Sequence, residues 1–344
     1  MVRLGIIGCG SIVRFRHAPE AAINPDVEIT GFYDLKTERA QKMVDQYGGK
    51  VYQTYLDMLE DPEVDAVCVC TTNATHAQIS IQALKNKKHV LCEKPMATRV
   101  SDAEEIIRAA RENQKLLMVG LSQRLDFVHQ EVKKLLDSGE AGEILSFHTT
   151  FGHAGPERWG VEKGTSSWFF HKDLSSTGAI GDIGVHKIDL LRWFVGKEIT
   201  SVQAKLCTLD KRYDNGELVD VDDNAMCILT FENGVCGTMR ASWTHYGEDE
   251  HATILYCTKG IVQVYTSLTH PIILVKKNGN KQLFQFREEI PENGIKPSGV
   301  LDGFVDSIQT GQPLSVTGED GLAVLKVVEA CMESSETGRM VMVK

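Results

Sequence analysis

The sequence predicts a two-domain α/β protein. A parallel sheet wound by helices on both faces is followed by an α/β domain built on an open, predominantly antiparallel sheet. Three observations predict it. The apolar run Val2–Ile7 ends at the glycine turn Gly8-Cys9-Gly10. Short apolar runs then alternate with helical patterns as far as residue 121, the rhythm of β-α-β units. Beyond that point strands follow one another with few helices between them, which suits an antiparallel or mixed sheet. The boundary falls there, giving residues 1–121 and 122–344 as the two domains. At 344 residues each part is long enough for its own core.

In the first part, strands read at Val2–Ile7, Glu28–Tyr33, Asp65–Cys70, His89–Cys92 and Lys115–Leu121. Each is short, apolar and bounded by turn residues, as buried parallel strands are. Helical spacing fills the gaps at Ser11–Ile23, Lys36–Tyr47, Thr75–Asn86 and Ser101–Asn113. Ser101, with Glu104 three residues on, is the expected N-cap of the last. In the second part a helix at Asp126–Asp137 leads to a strand at Glu143–Phe151. An irregular stretch, His153–Ser176, precedes a helix through Asp182–Trp193. Asp222–Phe231 and Val235–Trp243 flank Asn233-Gly234, a hairpin signal. Strands at Thr253–Cys257 and Ile261–Tyr265 and helices near Leu301–Gln309 and Gly318–Glu336 complete the pattern. No Pro/Ser-rich linker separates the halves, so they are expected to be tightly joined.

Composition excludes several classes. The net charge of −10 argues against a nucleic-acid surface. No apolar run reaches the roughly 18–20 residues needed to cross a bilayer. The N-terminus enters a strand pattern at once, with no secretory signal. The nine cysteines include no CxxC pair and read as reduced core residues of a cytoplasmic protein.

Gly8-Cys9-Gly10-Ser11-Ile12-Val13 joins a strand to a helix, the context a dinucleotide fingerprint requires. Gly8 and Gly10 let the backbone turn and approach a pyrophosphate, and Ser11 and Ile12 open the helix whose N-terminus favours anions. Val13 stands where the fingerprint has its third glycine. Asp34 ends the second strand, where a carboxylate binds both ribose hydroxyls and repels a 2′-phosphate. NAD is therefore expected over NADP, although Lys36 and Arg39 stand close by. Glu93 and Lys94 end another strand, at the edge where ligands of open sheets bind. Asp182, His186 and Asp189 recur at i, i+4 and i+7, one face of a helix. Gly178, Gly181 and Gly184 cost that helix roughly 1 kcal/mol each against alanine, which suits a backbone passing close to a ligand.

Taken together, Gly8-Cys9-Gly10 with Asp34, Thr71-Thr72-Asn73-Ala74-Thr75-His76, Glu93-Lys94-Pro95 and Gly181-Asp182-Ile183-Gly184-Val185-His186 resemble the Gfo/Idh/MocA oxidoreductases over nearly the whole chain. The departures are Val13, and Thr72 where proline often precedes the asparagine. The resemblance implies a Rossmann domain and a second domain whose open sheet forms a subunit interface. It implies that Thr71, Asn73 and His76 lie beside the nicotinamide half of the cofactor. It also implies that Lys94 contacts both nicotinamide ribose and reacting oxygen, with a Lys–Pro bond that is often cis.

Oxidising a secondary alcohol removes a hydride and a proton. NAD accepts the hydride. His186 is the expected base, because histidine titrates near neutrality. Lys94 stabilises the developing alkoxide, Asp182 holds substrate and histidine, and Asp189 tunes His186. Asp182 and His186 have the spacing of a metal pair, but Lys94 repels a cation, so no metal is expected. The expected substrate is a cyclic polyol or sugar, held by Lys94, His153, Trp159, Asp182, His186 and Tyr246; aromatic faces suit a ring with apolar C–H faces. His153 and Tyr246 match the polyol contacts of inositol-type members only loosely. A homodimer or homotetramer is expected. Two other readings remain open: a cofactor-binding regulator without turnover, and a lyase or glycosidase that uses bound NAD transiently.

Overall fold

A computed structural model of the chain describes residues 1–161, 164–286 and 294–344. The first sheet is built from β1 (Val2–Ile7), β2 (Val27–Tyr33), β3 (Lys50–Val51), β4 (Ala66–Val69), β5 (His89–Cys92) and β6 (Leu117–Val119). All pairings are parallel, in the order β3-β2-β1-β4-β5-β6. The order reverses at β1, and the crevice beside it is the expected place for a ligand. The connecting helices are α1 (Ala18–Ile23), α2 (Thr37–Tyr47), α3 (Tyr55–Glu60), α4 (Asn73–Lys85) and α5 (Val100–Asn113). A π turn, Val13–His17, precedes α1. Ser101 is not the cap of α5: Arg99 holds that position without a side-chain bond, and Ser101 lies inside the first turn.

The period of two explains how this sheet is buried. Leu4, Ile6, Cys68, Leu91 and Met118 face one side, and Ile7, Val67, Val69, Val90 and Val119 the other. The second face continues without a break into the core of the second sheet.

That second sheet has nine strands: β7 (Ile144–Gly152), β8 (Ile199–Cys207), β9 (Asn224–Phe231), β10 (Cys236–Ser242), β11 (Thr253–Cys257), β12 (Gly260–Val264), β13 (Ile272–Lys276), β14 (Lys281–Phe284) and β15 (Val341–Met342). Their order is β14-β13-β12-β11-β7-β10-β9-β8-β15. Every pairing is antiparallel except β7 with β10. Gly234, at φ +84°, turns the β9–β10 hairpin at the expected Asn-Gly step. The helices here are α6 (Phe127–Asp137), α7 (Lys172–Ser175), α8 (Val185–Val195), α9 (Val300–Thr310) and α10 (Gly318–Thr337).

The end of the chain packs against both units. Val300, Leu301, Phe304 and Val305 of α9 pack with Leu4, Ile6 and Phe32 of the first sheet. Helix α10 touches α5 and β6 on one side and β8 on the other. The last stretch of chain thus returns and clamps the two units together. One face of the nine-stranded sheet carries no layer of its own. The strand registers align Met226, Ile228, Ile254, Tyr256, Ile273 and Leu283 on it, and four of the six are exposed.

Candidate active site

Two cavities meet at the carboxyl ends of the first sheet. The larger, of about 590 Å³, runs from the Gly8–Gly10 turn past Asp34 and beneath Trp159. The smaller, of about 400 Å³, opens between Lys94, Asp182 and His186. Ile12, Arg16, Glu93, Lys94 and Trp159 line both.

A dinucleotide fits the larger cavity on three counts. Gly8 has φ +94°, and a Cβ there would lie 2.5 Å from the Cys70 carbonyl oxygen, so only glycine makes the turn. A Cβ on Gly10 would meet nothing within 4 Å, which leaves room for a phosphate at the helix N-terminus begun by Ser11 and Ile12. The Asp34 carboxylate is held in place at the end of β2: it accepts the Cys9 and Lys36 N–H groups, each at 2.8 Å. Val13 fills the helix–sheet interface in place of the third glycine and is fully buried.

Thr71, Asn73 and His76 also line this cavity, but His76 is committed elsewhere. Its ring nitrogens lie 2.8 Å from the Pro95 carbonyl and 3.1 Å from the Thr71 carbonyl. It supports the Lys94–Pro95 turn, whose peptide bond is cis. Asn73 donates to the Ser175 carbonyl at 2.9 Å. Glu93 turns its carboxylate to His17 Nε2 at 2.8 Å. Burial raises the Glu93 carboxyl, but the His17 hydrogen bond and charge outweigh it and bring it to about 2.

Lys94 Nζ donates to the Asp182 carboxylate and to the Asp182 carbonyl, both at 2.7 Å. Asp182 sits in a π turn, Ile180–Gly184, that leads into α8. Its second carboxylate oxygen accepts the Trp243 indole N–H at 3.1 Å, and His153 Nε2 lies 3.7 Å from it. Burial opposes the charge of Asp182, but Lys94 and His153 outweigh it and hold the carboxyl well below its ordinary range. His186 Nδ1 is buried without a hydrogen-bond partner. Burial first, then the Lys94 charge, push His186 down to about 3. It therefore does not titrate near neutrality as the sequence led us to expect; in the free site it is a neutral imidazole.

Three further expectations are corrected. Asp189 does not reach His186: its carboxylate accepts from Arg124 Nε at 2.7 Å, and burial raises it to about 6 despite that pairing. Both residues lie within α8, but the Arg124 guanidinium claims the Asp189 carboxylate. The glycine run serves packing within the chain rather than a ligand. A Cβ on Gly178 would meet the Asp222 carbonyl at 1.8 Å, and one on Gly181 the Thr177 hydroxyl at 1.9 Å. Tyr246 lines neither cavity; its hydroxyl donates to Asp210, and its ring lies 4.8 Å from the Lys211 ammonium.

The remaining expected residues, His153 and Trp159, do line the smaller cavity. Sequence reasoning missed Arg16, Phe151, Arg158, Asp249 and His251 on its walls. It also missed Lys187, fully buried behind Phe151 and His251, whose ammonium donates to the His251 carbonyl at 2.8 Å. It missed the bond from the Trp243 indole to Asp182 as well; the tryptophan's position at the end of a strand, one residue past β10, was the available signal. No helix among the described residues is long and apolar enough to cross a membrane.

Comparison with known proteins agrees with this geometry. Residues 2–121 match the model described as the oxidoreductase family, NAD-binding Rossmann fold, and residues 129–263 the GFO/IDH/MocA C-terminal domain. The myo-inositol 2-dehydrogenase of Thermotoga maritima is 27% identical over 99% of this chain and 98% of its own. The dTDP-3,4-didehydro-2,6-dideoxy-alpha-D-glucose 3-reductase of Actinomadura kijaniata is 32% identical over 71% of this chain and 69% of its own. A levoglucosan dehydrogenase, solved with NADH and levoglucosan, superposes with a TM-score of 0.88 at 25% identity, covering 99% of both chains.

Proposed function

We propose, since the chain belongs to the Gfo/Idh/MocA family of NAD-dependent oxidoreductases and is a dehydrogenase, that it oxidises a secondary hydroxyl on the ring of a cyclic polyol or sugar. The observation that carries this reading is the joining of the two cavities at Lys94, opposite the buried pair of Asp182 and His186. Bound NAD supplies the hydride acceptor. The residues of the chain do the rest. Lys94 faces the reacting oxygen and stabilises its negative charge as the proton leaves. His186, kept neutral, offers a lone pair to the hydroxyl proton. Asp182 orients Lys94 and accepts a hydrogen bond from the substrate. Trp159 closes over the junction of the cavities, and Ser11 Oγ donates to its carbonyl at 3.2 Å. That contact ties the wall of the second unit to the cofactor turn. The similarity to enzymes named for inositol, levoglucosan and a nucleotide-linked hexose supports a ring substrate. The bare face of the nine-stranded sheet supports a homo-oligomer.

A panel of inositols, aldoses and anhydrosugars, assayed for NADH formation, tests the reading. At least one ring polyol is expected to turn over. If none does, while NAD stays bound through purification and a glycoside is cleaved, the cofactor is used transiently and the dehydrogenase reading of the substrate fails.

A further inference from the structure

A second cluster of chemically potent side chains lies beneath the cofactor turn, on the opposite side of Glu93 from Lys94. Cys68 and Cys70 are two residues apart along β4 and its extension, so their side chains point the same way. Their sulfurs are 3.3 Å apart. His17, from the π turn before α1, meets them: one ligand atom from each of the three residues lies within 4.8 Å of the others. His17 and Cys68 are fully buried and Cys70 is 6% exposed. The histidine is oriented. Its Nε2 is engaged by Glu93 Oε1 at 2.8 Å, and its Nδ1 is buried with no hydrogen-bond partner.

We propose that His17, Cys68 and Cys70 bind a d10 metal ion, zinc(II) or copper(I), through His17 Nδ1 and the two sulfurs. The chemistry of the donors selects the ion. Two thiolates and an imidazole form a soft to borderline set that favours these ions over magnesium or calcium. Glu93 supplies the outer carboxylate that metal-bound histidines commonly have: it keeps the Nε2 proton, and metal binding displaces the Nδ1 proton of a charged His17, leaving that lone pair for the ion. Charge is also balanced. Two thiol protons leave on binding, and two thiolates neutralise zinc(II) or leave one negative charge around copper(I).

The geometry is close to what an ion needs. Bonds of about 2.3 Å to each sulfur at a tetrahedral angle put the sulfurs about 3.8 Å apart, so the thiols must separate by roughly half an ångström. An entry path exists, because Cys70 lines the cofactor cavity. The alternative is that the thiols are simple core fillers. That account explains the cysteines but leaves an oriented, fully buried imidazole nitrogen with nothing to bond, a costly arrangement. The metal has no catalytic role in this proposal. Glu93 bonds His17 with one oxygen and accepts the Lys94 N–H at 3.1 Å with the other, so the ion stiffens the Glu93-Lys94-Pro95 turn from below.

The test uses the whole chain, without a histidine tag, purified with a thiol-free reductant. Samples are incubated with zinc sulfate or with copper(I), desalted, and analysed for metal by mass spectrometry. About one zinc or one copper per chain is expected, held by the three protein donors. Cobalt(II) in place of zinc should give a thiolate-to-cobalt charge-transfer band, absent in Cys68→Val. Retention below about a tenth of an equivalent of both ions by the wild-type chain overturns the proposal. So does a Cys68→Val chain that keeps as much metal as wild type. A Cys68–Cys70 disulfide found in the intact mass of freshly purified protein also overturns it, since the sulfurs are then spent. The wild-type measurements decide the matter even if the variant does not fold.

Discussion

The Lys94 ammonium is bonded at 2.7 Å to both the carboxylate and the main-chain carbonyl of Asp182, 88 residues further along the chain. One partner ends β5 of the first sheet and the other opens α8 against the second. The contact therefore joins the two units at the point where the two cavities meet. Lys94 is aimed before any ligand arrives, which removes an ordering cost from the reaction. Removing either side chain should affect chemistry and stability together.

Lys94→Ala should lower kcat by on the order of 10²-fold or more, the loss seen when a positioned electrostatic group is removed. NAD affinity should change little, since the Gly8–Gly10 turn and Asp34 are untouched. The variant also leaves a buried carboxylate without its cation. A stability loss of about 3 kcal/mol is expected, at the low end for such pairs because the Lys94 side chain keeps 17% of its exposure. Asp182→Asn removes both charge and strong acceptor and should raise KM and lower kcat. Steady-state kinetics with separate NAD titration and denaturant unfolding check this. Near-wild-type turnover in both variants would falsify the assigned roles.

His186 gives the sharpest kinetic expectation. With its imidazole pushed to about 3, the group is neutral throughout the working range. Its protonation should put no inflection in kcat/KM between about pH 5 and 8, where an ordinary histidine base would show one. His186→Asn should still lose roughly 10²- to 10⁴-fold in kcat, the range for an acid–base group. A wild-type acid limb near pH 6.5 that vanishes in the variant would show that His186 titrates in its ordinary range.

Cofactor choice rests on Asp34. A carboxylate fixed at the end of β2 by two backbone N–H groups matches a ribose diol and repels a 2′-phosphate. NAD should bind more tightly than NADP, and Asp34→Ser should narrow the gap, with Lys36 and Arg39 on the same cavity wall. Calorimetric titration of both dinucleotides decides it. A wild-type preference for NADP would show that the basic residues dominate.

The same burial that keeps His186 neutral makes the fold acid-sensitive. Burial pushes His129 and His251 down to about 4. A folded pKa below the unfolded one means that the unfolded chain binds protons first as pH falls. The stabilising contribution is complete above about pH 6.5 and is lost as pH falls from there towards the folded values. Each such histidine should cost on the order of 1 kcal/mol between about pH 6.5 and 5. Tm measured over that interval should fall, and His129→Phe should flatten the fall. An unchanged slope in the variant would remove His129 as a cause.

What was legible in the sequence was local or periodic. Gly8, Gly10 and Asp34 sit at strand ends, and strand ends show in an apolar pattern. Lys94 was found the same way, and His186 by helical spacing from Asp182, helped by motif order. What stayed hidden depended on which distant segments touch. Asp189 looked like a partner for His186 because i+3 spacing favours it, but Arg124, 65 residues away in sequence, claims it. Trp243 is core, but that its indole also reaches Asp182, 61 residues away, was hidden. Glycine spacing in Gly178–Gly184 was visible, but the Asp222 backbone that requires Gly178 was not. His17 drew no notice, because nothing in its neighbourhood announces that Glu93, Cys68 and Cys70 converge on it.

The outer face of the nine-stranded sheet makes the last prediction. Pairing registers place Ile228 beside Thr238, His148 and Ile254 on one row, and Tyr256 beside Ile261 and Val275 on another. Met226, Ile228, Tyr256 and Leu283 are each at least 41% exposed. Several large apolar side chains exposed on one face are uncommon on a monomer, and antiparallel sheets left bare on one side ordinarily turn polar residues outward. A second copy would cover it with the same surface, since a two-fold interface is self-complementary. The chain should therefore be a dimer or tetramer at micromolar concentration. Ile228→Lys, which places one charge per chain near the centre of that face, should shift the population towards monomer without changing the far-ultraviolet spectrum. Light scattering of the two proteins separates the outcomes: a monomeric wild type, or a variant that assembles as tightly as wild type, would show that this face is not the interface.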